Sequence, residues 1–257
     1  MTDFTGKTGL IVGVANKRSI SWAIAQAASA AGARVALTYP SERLEGNVRE
    51  LAATLKDAIV LPCDVASDEQ MGAVAASLDR EFGGLDFVVH GAGFAPHHEL
   101  SAPFVETTRD GFRIALDISA YSLIGLTRAC LPLLEKRGGG AVLTLTFLGS
   151  DRVFPNYNVM GVAKAALEST VRYLASDLGP KNIRVNAVSA GPIKTLAAAG
   201  ISGFSSILGV YREKAPLRKN VDLSEIADAS LFLIGSGSRG ITGEVLLVDG
   251  GYHAMGL

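Results

Sequence analysis

Residues 8–25 read TGLIVGVANKRSISWAIA, and a change of period inside this stretch decides the fold. TGLIV is a short apolar run without helical spacing, as expected of a strand buried on both faces. From Ser19 onward the apolar residues Ile20, Ala23 and Ile24 return at helical spacing. Gly13 lies between the two periods and permits a tight turn. A strand that turns directly into a helix presents the helix's unpaired N–H groups at the sheet's carboxyl edge, where an anion can bind. The stretch lacks a G-x-G-x-x-G pattern, and a plain βα turn capped by Ser19 would look the same.

The pattern continues outward in both function and period. RVALTY, AIVLPCDV and LDFVVHGAG read as strands, separated by helices through RLEGNVRELAATL and EQMGAVAASLDREF. A long helix near 110–134, the strand AVLTLTFL, a helix over about 156–178, the strand IRVNAVSAG and a last strand EVLLVDGG follow. Alternation of this kind predicts a single-domain α/β fold over 1–257, a Rossmann-like doubly wound parallel sheet with helices on both faces. Two stretches interrupt it. TLAAAGISGFSSILG, 195–209, is rich in Ala, Gly and Ser and reads as a mobile substrate loop of short helical pieces. GFAPHHELSAPFV, 93–105, follows a strand and lies on the binding edge of the sheet.

Composition narrows the function. The chain has 257 residues, 48% of them hydrophobic, and a net charge of −1. This balance argues against nucleic acid as the main partner, which would call for a clear excess of Lys and Arg. The start, MTDFTGK, has no secretory pattern, and no uninterrupted apolar run reaches spanning length. The expectation is a cytoplasmic protein without a membrane partner. Cys63 and Cys130 lie in apolar contexts without the spacing of a zinc site or disulfide framework, and read as buried thiols. His97, His98 and Glu99 lack the i, i+4 spacing of a helical metal site, so no metal is expected.

The chemistry sits in YNVMGVAK, 157–164. On a regular helix, residues seven apart lie about 20° from eclipsed, so Tyr157 and Lys164 would face one ligand. A phenol donates a proton and an ammonium holds a fixed charge, and the pair suits a reaction that builds negative charge on oxygen. The cofactor edge is read at Gly13, Ser19 and Ile20, at Asp64, which ends the third strand, with Val65, and at Gly91, Ala92 and Gly93, which end the fourth. The Ser19 hydroxyl and backbone N–H groups are expected to hold a pyrophosphate, and Asp64 with Val65 to contact adenine. TYPSERLEG, 38–46, offers no cation directly at the second strand end, where a 2′-phosphate would want one. This predicts NADH over NADPH, with Arg43 the one residue able to reverse it.

These segments together, with VHGAGFAP at 89–96, IRVNAVSAGPIKTLA at 183–197 and ITGEVLLVDGG at 241–251, closely resemble the bacterial enoyl-acyl carrier protein reductases. That family is a divergent branch of the short-chain dehydrogenases/reductases, and the resemblance spans essentially the whole chain. In most of the wider family the tyrosine precedes the lysine by four residues, the place of Met160 here; a tyrosine at minus seven is the enoyl reductase variant. The resemblance implies that NADH reduces the trans-2 double bond of an enoyl thioester in fatty acid elongation. Tyr157 would stabilise the enolate, Lys164 would hold the nicotinamide ribose, and Ile193, Lys194, Thr195, Leu196 and Ala197 would border the carboxamide. Ala95, Tyr157, Phe204 and Ile207 would line the substrate cavity. It further implies an acyl carrier protein or coenzyme A thioester as substrate and a homotetramer.

Three positions depart from the family pattern. Phe147 stands where a second tyrosine is common, ten residues before Tyr157. Ser202, Ser205 and Ser206 replace basic residues of the substrate loop, and Gly91 with Ala92 replaces a Ser-Ile pair. Two other functions stay open from sequence. A carbonyl reductase of the wider family is disfavoured by Met160, and a catalytically silent dinucleotide-binding protein by the presence of both Tyr157 and Lys164.

Overall fold

The computed structural model describes residues 3–196 and 198–256. Its seven strands are β1 (Thr8–Val12), β2 (Arg34–Tyr39), β3 (Ile59–Pro62), β4 (Phe87–His90), β5 (Gly140–Thr146), β6 (Ile183–Ala190) and β7 (Val245–Val248). They form one sheet in the order β3-β2-β1-β4-β5-β6-β7, with every pair parallel. The sheet is doubly wound, as the alternation predicts. The order reverses between β1 and β4, so the carboxyl ends of these strands form the crevice where this fold binds ligands.

The helices are α1 (Ile20–Ala30), α2 (Glu42–Ala52), α3 (Asp68–Phe82), α4 (His97–Ser101), α5 (Arg109–Leu116), α6 (Ser122–Lys136), α7 (Asn158–Leu178), α8 (Phe204–Lys214) and α9 (Leu223–Ile234). Alternate strand residues feed two cores. Leu10, Val88, Val142 and Val185 pack against Leu78 of α3, Leu126 of α6 and Leu167 of α7. Ile11, Val35, Val89, Leu143 and Val188 pack on the other face with Ile24 of α1, Val48 of α2 and Ile226 of α9. Burial on both faces explains why the central strands read as continuous apolar runs. Cys63 and Cys130 are buried free thiols, and burial pushes their pKa values up to about 11 and about 12.

Several expectations change in detail. The long helix is a pair, α5 and α6, joined by a π-helical turn at Asp117–Tyr121. Together they run from Arg109 to Lys136 and are by length and apolarity sufficient to cross a membrane, although sequence showed no apolar run of that length. Half of the apolar window is buried inside the protein, and α6 contributes Leu123, Leu126, Cys130, Leu133 and Leu134 to the core. His97 and His98 lie on the short helix α4. Among the described residues no group of three His, Cys, Asp or Glu side chains is placed to hold a metal. Helix α9 has no counterpart in the sequence reading, yet Asp222 and Glu225 form a capping box at its start, a D-x-x-E signal legible in principle.

Candidate active site

The crevice begins at Gly13, whose φ of +96° is a glycine conformation. A Cβ at this position would lie 2.3 Å from the carbonyl oxygen of Gly91. Glycine thus lets the chain leaving β1 close against the chain leaving β4. A Cβ at Gly91 would in turn meet the Ser21 hydroxyl at 2.0 Å, a group that donates to the Val12 carbonyl at 2.9 Å. The departure at position 91 is thereby tied to Ser21, which occupies the space.

Ser19 precedes α1 without capping it. Its buried hydroxyl accepts from the N–H groups of Ala15 and Asn16 at 3.0 and 3.1 Å. Both bonds use the hydroxyl oxygen as acceptor, so Ser19 shapes the loop and keeps its O–H for a further acceptor, beside the N–H groups that begin α1 at Ile20. Asp64 lies beyond the end of β3 at Pro62 rather than closing the strand. Its carboxylate accepts from Ala66 N–H at 3.0 Å and its own N–H donates to Gln70 at 2.8 Å, while Val65 is buried. Ala92 and Gly93 follow β4, and the next residue, Phe94, is held in both directions by Ser119 of the π-helical turn. Phe94 N–H donates to Ser119 Oγ at 2.9 Å, and the hydroxyl donates to the Phe94 carbonyl at 3.1 Å. The sequence reading missed Ser119, since a π turn leaves no periodic signal in so short a span.

Lys164 is buried on α7 at 8% exposure, and its Nζ donates to the Leu145 carbonyl at 2.8 Å. Burial pulls its pKa down to about 8, against the opposing charge of Glu168. A Cβ at Gly93 would lie 3.6 Å from Nζ, so this small residue leaves the ammonium open toward the β4 edge. Glu168, one turn further along α7, accepts from Thr146 Oγ1 at 2.6 Å. The i, i+4 relation of Lys164 and Glu168 is the signal that could have found it. Below them, His90 is fully buried between Thr144 Oγ1 at 2.9 Å and Ser122 Oγ at 2.8 Å. Burial first, and the Lys164 charge second, hold His90 down to about 3, so the imidazole is neutral.

Tyr157 reaches the site by another route than helical periodicity. It sits at the N-cap of α7, not within it, and is flanked by Asn156 and Asn158 at φ +63° and +41°. Asparagine tolerates this left-handed region better than most residues. Each side chain also locks the turn: Asn156 Nδ2 donates to Ser202 O at 2.8 Å, and Asn158 Nδ2 to Ala102 O at 2.8 Å and Glu99 O at 3.2 Å. The direction of the phenol is thus set by a tied turn, whereas Met160 and Lys164 follow the helix. Tyr157 is buried, and burial, aided by the Glu168 charge, pushes its pKa up, so it stays a protonated phenol.

An apolar cluster surrounds the phenol. Leu100, Ala115, Val159 and Met160 are buried with Tyr157, and Ala95, Phe147, Phe154 and Ile201 pack against them. Phe147 meets the Tyr157 ring edge-on at 5.1 Å and the Phe154 ring at 4.8 Å. Ala95 packs in this cluster beside Tyr157. Phe204 and Ile207 are half-buried on α8 and lie outside this cluster, because the helix starting at Phe204 turns Tyr211 inward toward Phe154, 6.3 Å away; Ile201 takes the expected place. After β6, Ile193 packs on the α1 and α9 side of the sheet, Lys194 is exposed, and Leu196 is about half exposed. Thr195 Oγ1 accepts from Ala198 N–H at 3.1 Å. Ala197 lies outside the described residues.

This geometry fits a dinucleotide at the β1–β4 crevice with a buried cation and a neutral phenol beside it. A profile described as "Enoyl-(Acyl carrier protein) reductase" matches residues 13–253. An enoyl-[acyl-carrier-protein] reductase [NADH] of Bacillus cereus is 50% identical over 98% of this chain and 98% of its own. The reductase of the same name from Escherichia coli is 47% identical over 96% and 94%. Among solved structures, the Bacillus cereus enoyl-acyl carrier protein reductase with NADP+ and indole naphthyridinone has a TM-score of 0.97 at 50% identity, with both chains fully covered. The Anaplasma phagocytophilum enzyme in complex with NAD gives 0.95 at 46%, covering 99% of this chain and 96% of its own. The chain belongs to the enoyl-acyl carrier protein reductase family.

Proposed function

We infer that the protein is an NADH-dependent enoyl-acyl carrier protein reductase. The observation that carries this reading is the placement of the phenol. Met160, four residues before Lys164, is a thioether that cannot protonate an oxygen; its Sδ lies 3.7 Å from Ser119 Oγ. The proton donor is instead Tyr157, one turn earlier and held by its own locked turn. A ketone reductase protonates the oxygen on the carbon that takes hydride. In an enoyl thioester, hydride reaches Cβ and negative charge develops on a more distant carbonyl oxygen, which suits the displaced phenol.

When bound, NADH supplies the hydride for Cβ. The Ile20 end of α1 would receive the pyrophosphate, and Lys164 would hold the nicotinamide ribose hydroxyls through its ammonium. Tyr157, kept neutral by burial, donates a hydrogen bond to the thioester oxygen as it becomes an enolate; a proton taken from solvent and added at Cα completes the reduction. Leu100, Met160, Phe147 and Phe154 exclude water from that oxygen and border the acyl chain, where each hydrogen bond counts for more than in solvent. The substrate is an acyl carrier protein thioester or its coenzyme A counterpart, the segment 195–209 serves as a mobile substrate loop, and the enzyme acts in the cytoplasm as a homotetramer. Exposed Tyr121 in the turn between α5 and α6, and Val162 and Tyr173 on α7, support the assembly. NADH oxidation with crotonyl thioester but not with a simple ketone is the expected result. Turnover of the ketone alone would mean a carbonyl reductase, and turnover of neither a silent binding protein.

A further inference from the structure

A cleft of about 670 Å³ contains neither Tyr157 nor Lys164, and shares with the expected carboxamide border only Ile193 and Lys194. Its walls are the loop after β6 (Pro192–Lys194), the start of α9, Arg18 before α1, and one face of α8. Helix α8 is the partition between this cleft and the catalytic cluster. Tyr211 faces inward, buried and directed at Phe154 of the catalytic cluster. Ser205, Leu208, Gly209 and Arg212 face the cleft, on average about a third of a turn away at 100° per residue.

Charge gives the cleft its chemistry. Three cations line it, Arg18, Lys194 and Arg212, against one carboxylate, Asp222. Asp222 is already engaged in the capping box of α9. Among the described residues none of the three cations takes part in a salt bridge. Ser202 before α8, and Ser205 and Ser206 in its first turn, carry no charge. Positive potential on this helix is therefore concentrated in its last turn, at Arg212 and Lys214, and Arg212 brings it into the cleft.

Resting on the function proposed above, we propose that this cleft receives the phosphate end of the phosphopantetheine arm that carries the enoyl thioester. The arm is linear and amide-rich, with a phosphodiester at the end remote from the sulfur, and acyl carrier protein and coenzyme A share it. With the thioester at Tyr157, the arm passes along α8, whose diameter of about 10 Å is within its reach. The phosphodiester then meets Arg212, with Arg18 and Lys194 opposite. Arginine binds such an oxyanion through a planar fork.

The test uses three crotonyl thioesters: of holo acyl carrier protein, of coenzyme A, and of pantetheine, which has no phosphate. Arg212→Glu, with Arg18→Ala as a second variant, should raise KM for the first two about tenfold at low salt, as charge reversal at an exposed contact does, with kcat unchanged. Added salt should shrink the effect. Crotonyl-pantetheine kinetics and the KM for NADH should stay within about twofold of the unmodified enzyme. Loss with coenzyme A alone would place the contact on the nucleotide's additional phosphates and overturn the proposal. Equal loss with pantetheine, a rise in KM for NADH, or loss confined to the carrier protein would each overturn the proposal. Failure of the unmodified enzyme to reduce any of the three would reject the enoyl reductase reading instead.

Discussion

Raising the pH should weaken NADH binding by an amount set by the burial of Lys164. Burial lowers the pKa of this ammonium to about 8 from its ordinary 10.5. If the charged form holds the ribose, the apparent dissociation constant is the intrinsic one divided by the charged fraction. That fraction is about 0.9 at pH 7, about 0.09 at pH 9 and about 0.01 at pH 10. Affinity should therefore fall about tenfold between pH 7 and 9, and about tenfold again by pH 10. Stability of the free enzyme should move the other way. Between pH 8 and 10.5 the unfolded chain binds more protons at this lysine than the folded one, so this group's contribution rises with pH across the window. Glu168 raises the lysine pKa, so Glu168→Gln should move the loss of affinity to lower pH, and Lys164→Ala should give weak, pH-independent binding. Titration of NADH by fluorescence from pH 6 to 10 reads all three proteins. A flat profile for the unmodified enzyme, or a lysine-less variant that keeps the slope, would refute the reasoning.

Phe147→Tyr should change crotonyl turnover by less than tenfold, below about 1.4 kcal/mol in barrier, since the ring is a wall beside Tyr157; an unmodified enzyme inactive until this hydroxyl is added would show that one phenol does not suffice. NADH should exceed NADPH in kcat/KM, because Tyr39 at the end of β2 is followed by Pro40, Ser41 and Glu42; the NADP+ in the Bacillus cereus structure makes this comparison pointed, and a preference for NADPH would reject it. Light scattering at micromolar concentration should give four times the monomer mass, and a monomer would remove the proposed homotetramer.

The legible parts of the molecule are those where local period and tertiary burial agree. TGLIV and RVALTY read as strands because helices cover both faces of the sheet and leave no polar alternation. Gly13 was readable for a related reason, as its turn requires a positive φ that a side chain disfavours. Other features depend on contacts distant in sequence. Periodicity aligns Tyr157 with Lys164 on a continuous helix, but Asn156 and Asn158 break the chain there and tie it to Ser202 and Ala102. The backbone at Tyr157 is therefore not the regular helix on which the seven-residue spacing is read. Likewise the hold of the Ser19 hydroxyl on the N–H groups of Ala15 and Asn16 belongs to a loop that no period reveals. Ser119 and His90 carry no motif, and their roles follow from the π turn and from burial between two hydroxyls.

The central claim is that the Tyr157 phenol stabilises the enolate oxygen while Lys164 serves the cofactor. Single-turnover reduction of a crotonyl thioester by NADH tests it most directly, with Tyr157→Phe compared against the unmodified enzyme at saturating NADH. The expected result is a rate about 10² to 10³ lower, the cost of one oxyanion donor, with the dissociation constant of NADH unchanged. A variant that reduces the thioester at the unmodified rate, or one whose loss lies wholly in NADH binding, would contradict the account.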